Sequence, residues 1–189
     1  MPSSPKSLLL FLTVALLAGA CGSDEENVAP TDDNEAITTA TLTLTSQTTP
    51  AQSVTATLDN LNATADLSRA TLNLRANTTY AGVLTLLDKT QTPPLDVSAE
   101  VRKEANEHLV VYTFTPAPGS PASLTVTATD QDTNPAPGPY PLGLTTQVQT
   151  GPAGTGTLNV VLRHQPGVKN GSSAAGTSDL DVDFTVSIQ

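Results

Sequence analysis

The chain has 189 residues, 38% of them apolar and 3% aromatic, and its 8 Lys plus Arg against 18 Asp plus Glu give a net charge of −10. That balance lacks the basic face that phosphates require and excludes nucleic acid as a partner. One Cys and two His exclude a disulfide framework and any multi-cysteine metal centre.

The first element is a secretory signal peptide over residues 1–20, in which Lys6 precedes an apolar run from Leu8 to Leu17. The run is far shorter than the roughly 20 apolar residues that cross a bilayer. Its end, Leu17-Ala18-Gly19-Ala20-Cys21, resembles the bacterial lipobox, although Ala18 stands where Leu is commoner. The resemblance implies that Cys21 is lipidated and becomes the new N-terminus; the alternative is an ordinary signal peptide that leaves a free Cys. Acyl chains contribute about 0.8 kcal/mol per buried CH₂ and hold a protein on a membrane without spanning it. Residues 21–36 then form the lipidated Cys and a flexible acidic tether, because Asp24, Glu25, Glu26, Asp32, Asp33 and Glu35 leave little to bury. Retention at an inner membrane goes with Asp next to the lipidated Cys, and Gly22 stands there instead. The expected location is therefore the outer membrane. The Ser23-Asp24-Glu25-Glu26 cluster resembles the export signal of Bacteroidetes surface lipoproteins.

From Ile37 the pattern becomes apolar-polar alternation rich in Thr and Val, which marks strands with one wet face. Ala40, Leu42 and Leu44 share one face, with Thr39, Thr41, Thr43 and Thr45 on the other. The same parity recurs at Val54, Ala56 and Leu58, at Leu72 and Leu74, at Leu124, Val126 and Ala128, at Leu142, Leu144 and Val148, and at Leu158, Val160 and Leu162. A final strand places Leu180, Val182, Phe184, Val186 and Ile188 inward and Asp179, Asp181 and Asp183 outward. Segments 80–87 and 109–114 are apolar on both parities and predict central strands covered on both faces. Only residues 97–106 read as a helix, with Asp96 as N-cap and Lys103 within reach of Glu107. About nine strands in residues 37–189 predict a single all-β domain, an antiparallel two-sheet sandwich of Ig-like, Greek-key type, with a β-barrel as the alternative.

The sequence holds no G-x-S-x-G elbow, H-E-x-x-H pair or C-x-x-C, and no enzyme is expected. The Gly-rich stretch 151–156 precedes a strand, and Pro152 removes an N–H that a phosphate would need. The sharpest chemical candidate is a metal site, for zinc or copper, drawn from His108, His164, Glu104 and Glu107. Both His share parity with inward-facing residues at strand ends, and two unrelated His that cap strand ends and bond to nearby backbone are expected over a shared site. Residues 130–134, Asp-Gln-Asp-Thr-Asn, match the start of a calcium loop, but Pro135 and Pro141 stand where its Gly and Glu belong, so an Asx-rich turn is expected.

Ala76-Asn77-Thr78-Thr79-Tyr80, Glu104-Ala105-Asn106-Glu107-His108-Leu109, Tyr140-Pro141-Leu142-Gly143-Leu144, Arg163-His164-Gln165-Pro166-Gly167-Val168-Lys169 and the terminal Asp181-Val182-Asp183-Phe184 resemble a family of small Bacteroidetes lipoproteins. Its members often carry the label of a type 1 periplasmic binding fold. A two-lobed α/β protein needs repeated strand-helix units and more chain than residues 37–189 supply. The resemblance implies a cell-surface lipoprotein and assigns no activity. The expected function is a noncatalytic binding or accessory module, membrane-held through Cys21 and partnered by an outer-membrane transporter or surface complex. The alternative is a metal-handling accessory of such a transporter.

Overall fold

β-Branched Thr and Val alternating with Leu favour a pleated, half-buried backbone, and such stretches form most of the strands among the described residues. The computed structural model describes Met1 and residues 35–189; the signal peptide, Cys21 and nearly all of the expected tether lie outside the described residues. The strands are β1 (Thr39–Ser46), β2 (Ser53–Asp59), β3 (Asp66–Arg69), β4 (Thr71–Leu74), β5 (Thr79–Asp88), β6 (Leu95–Asp96), β7 (His108–Pro116), β8 (Leu124–Ala128), β9 (Thr145–Thr150), β10 (Gly154–His164) and β11 (Thr177–Ile188), with one helix, α1 (Val97–Lys103).

One sheet runs β3-β2-β1-β5-β9-β8, with β6 paired to the end of β5, and the other runs β4-β11-β10-β7. Every pairing is antiparallel except that of β4 with β11. The sheets share one core: Leu42, Leu58 and Leu84 from the first meet Leu72, Leu158 and Phe184 from the second, all fully buried. Each such side chain contributes about 1.5–3 kcal/mol of burial. The architecture is an all-β sandwich, and neither sheet closes into a barrel. Among the described residues no helix is long and apolar enough to cross a membrane.

Several expectations about single segments are corrected. Strand β5 is central, as its composition suggested, but Ala81 and Val83 face outward and are exposed. Strand β7 is an edge strand. Its first residues are nonetheless buried on both parities, and beside them Val110 N donates to the carbonyl of Leu142, in the irregular segment before β9, at 2.7 Å. Leu142 and Leu144 are buried but precede β9. The helix is capped by Asp96, whose carboxylate accepts from Ala99 N at 3.2 Å, and ends at Lys103. Lys103 reaches back to Glu100 at 2.7 Å instead of forward to Glu107. The short strands β3 and β6 escape sequence reading because their residues are exposed and show no alternation.

Candidate functional site

His108 opens β7 and His164 closes β10. The two strands are antiparallel, and their register sets these residues directly opposite each other. Their rings stack with centroids 4.8 Å apart and planes 12° from parallel, and both side chains are buried. Parity in the sequence places each His on the inward row; the pairing of β7 with β10 makes them neighbours.

Asp179 completes the arrangement, against expectation. Alternation assigns it to the wet face with Asp181 and Asp183, yet its side chain is fully buried. A bulge is responsible. Leu162 pairs with Leu180 but Arg163 pairs with Ser178, so Asp179 is an extra residue on β11. Bulges re-aim a side chain in this way. Asp179 Oδ2 thereby reaches to 3.5 Å from His108 Nε2.

His108 Nδ1 lies 3.2 Å from the Glu104 carbonyl, an acceptor that places a proton on Nδ1. Nε2 and both Asp179 oxygens have no hydrogen-bond partner among the described residues. Burial pushes the His108 imidazole down, but Asp179 and the Glu104 carbonyl outweigh it and hold the group above its ordinary value. Glu35 joins the cluster from the chain before β1: ligand atoms of Glu35, Glu104 and His108 all lie within 4.8 Å of one another. Partial burial raises the Glu35 carboxyl, His108 draws it down, and the negative charges of Glu104, Asp179 and Glu100 push it further up.

The four residues singled out from sequence therefore divide. Glu104 belongs with His108, whereas Glu107 Oε2 lies 3.8 Å from His164 Nε2 and is half-exposed. Glu35 and Asp179 are the members that sequence reasoning missed. The chemistry of the set is that of a cation site, one imidazole nitrogen among carboxylate oxygens.

The surrounding loops are structural. Asp130 accepts from Gly143 N at 2.7 Å and Thr145 N at 3.0 Å. Asp132 accepts from Tyr140 N at 2.7 Å and from both the backbone and side chain of Asn134. Both carboxylates are thus engaged in an Asx-type turn of the kind expected. Lys169 closes the turn, its Nζ 3.0 Å from Asp132 Oδ2 and 2.7 Å from the Ala105 carbonyl, with both charged side chains buried. Arg163 clamps the segment before β11 through the carbonyls of Ala175 and Gly176. The residues that carry the lipoprotein resemblance around 104–109, 140–144 and 163–169 thus meet at one end of the sandwich. Comparison of the chain with family models, curated proteins and solved structures returned no match.

Proposed function

We propose that the chain is an outer-membrane, lipid-anchored surface protein whose sandwich is a noncatalytic binding module. The observation that supports this reading is the outer face of the larger sheet. Register aligns Thr57, Thr41 and Thr85 in one row, Thr55, Thr43, Val83 and Thr145 in the next, and Ser53, Thr45, Ala81, Gln147 and Thr127 in a third. Arg69 on β3 extends the first row beyond Thr57, whereas the second and third rows carry no charge in a chain of net charge −10. Two pairs of hydroxyls bond to one another, Thr41 with Thr57 at 3.2 Å and Thr43 with Thr55 at 3.1 Å, and the second and third rows form a neutral, hydroxyl-lined strip. A charged partner would lose its hydration there and find no counter-charge. The face therefore suits a neutral, hydroxyl-rich partner such as an uncharged polysaccharide.

Co-sedimentation of the full chain with an insoluble neutral glucan tests this. Retention should resist salt and fail in Thr55→Lys and Gln147→Lys; no retention, or retention that the lysines leave unchanged, counts against the reading. Mass spectrometry of the membrane fraction should find Cys21 acylated, and an unmodified secreted product would remove the anchor. A second reading, a metal-handling accessory that passes zinc or copper to an outer-membrane transporter, draws support from the buried His108 cluster.

A further inference from the structure

We infer that His108, Asp179, Glu35 and Glu104 form a site for one divalent ion of the zinc class, and that occupation ties the chain before β1 to the end of the sandwich. The inference deepens the metal-handling reading and rests on it for the class of ligand.

Geometry decides between the two ways of reading the His108–Asp179 contact. A charge-assisted N–H···O bond closes to about 2.7–2.9 Å, whereas Nε2 and Oδ2 stand 3.5 Å apart. Two atoms that ligate tetrahedral zinc at about 2.0–2.2 Å are separated by about 3.4 Å. The observed spacing is that of a bridged pair. The tautomer agrees: a ligating His usually donates its other N–H to a carbonyl or carboxylate, and Nδ1 has the Glu104 carbonyl. Nε2 is then the ring nitrogen that faces a fully buried carboxylate, and neither group has a hydrogen-bond partner among the described residues. A buried, unpartnered anion is costly, and a cation beside it removes the cost.

Glu35 and Glu104 supply further oxygens. The 4.8 Å envelope that they share with His108 does not include Asp179, which the ion would meet through His108 Nε2, and it is wider than the zinc edge by about 1.4 Å. Their side chains are half-buried and exposed, respectively, and have the torsional freedom to close that gap. His164 lies on the far side of the stack, with its own carboxylate partner. Its part is to hold the His108 ring in place. Because Glu35 belongs to the chain that leads into β1 while the other three ligands come from the sandwich, the ion would fix where that chain meets the body.

Zinc titration of the chelator-stripped full chain, by calorimetry, tests the site. One equivalent should bind, Asp179→Asn and Glu35→Gln should each weaken it by at least about tenfold, and Glu107→Gln should change it by less than about threefold. Melting curves without zinc confirm that the variants are folded, and Glu35→Gln, at a half-buried position outside the strands, keeps the test open if Asp179→Asn is not. Zinc should also slow proteolysis before Ile37 in the wild type but not in Glu35→Gln. No saturable zinc binding would overturn the inference and leave an imidazolium–carboxylate pair. Binding that survives Asp179→Asn and Glu35→Gln but disappears in Glu107→Gln would overturn it while the metal-handling reading stands. Zinc bound at this site that a chelator cannot remove within hours would uphold the site and refute handling.

Discussion

Replacing Lys169 by Met keeps most of the aliphatic stem and deletes the ammonium. Asp132, whose side chain is fully buried, then keeps three neutral donors, Tyr140 N at 2.7 Å, Asn134 N at 3.1 Å and Asn134 Nδ2 at 2.7 Å. Removing one partner of a buried ion pair costs about 3–5 kcal/mol, and those three donors place Lys169→Met near the lower end. Asp132→Asn is the harsher change, because it leaves an ammonium, 1% exposed, with the Ala105 carbonyl as its acceptor. Burial already pulls the Lys169 amine below its ordinary range, and Asp132 pulls it back up. The double variant removes both charges and should cost less than the sum of the singles by about 2–3 kcal/mol. Thermal melts at neutral pH resolve this, since a domain of this size moves about 2–4 °C per kcal/mol; Lys169→Met should lower the midpoint by roughly 6–12 °C. Single costs below about 1 kcal/mol, or strict additivity, would show that water reaches the pair and refute the reasoning.

Three further outcomes are expected. The Lys89 and Thr39 hydrogen bonds hold the Asp59 carboxyl down at about 2, so its stabilisation is complete above its unfolded value near 3.8 and is lost as pH falls towards 2; melts across that interval should show a steeper decline in the wild type than in Asp59→Asn. Tyr80→Phe removes a buried hydroxyl that donates to Gln52 Oε1 at 2.6 Å and accepts from Arg75 N at 2.7 Å, and chemical denaturation should register a loss of about 1–3 kcal/mol. Gly176, at φ +70°, sits where a Cβ would overlap the His164 carbonyl; Gly176→Ala should cost at least about 2 kcal/mol, with the His164 ring resonances shifted in the variant's NMR spectrum.

Much of the sandwich was legible because alternation reports which face is dry. Leu42 and Leu44, Leu158 and Leu162, and Phe184 and Ile188 lie where parity puts them. Parity is blind to whatever breaks the period or depends on a partner strand. The extra residue at the β10–β11 bulge turned Asp179 inward, and nothing in Ser178-Asp179-Leu180 marks it in advance. Leu109 and Val110 are both buried, Val110 with its N–H bonded to Leu142 about thirty residues away in sequence, so their composition imitated a central strand. Glu35 has the composition of a tether and is drawn against the body by its surroundings there. The two His were visible as candidates, but their contact follows from register, which a single sequence leaves open.

Strand β11 is inserted between β4 and β10 and is the last strand of the domain. Until residues 177–188 are delivered, β10 has β7 on one side and a bare edge on the other, and β4 has no neighbour in its sheet. An incomplete chain therefore cannot close the sandwich and exposes two sticky edges of the kind that seed aggregation. A copy that lacks residues 177–188 therefore leaves the second sheet open, whereas one that carries them joins β4 to β10 through a single strand.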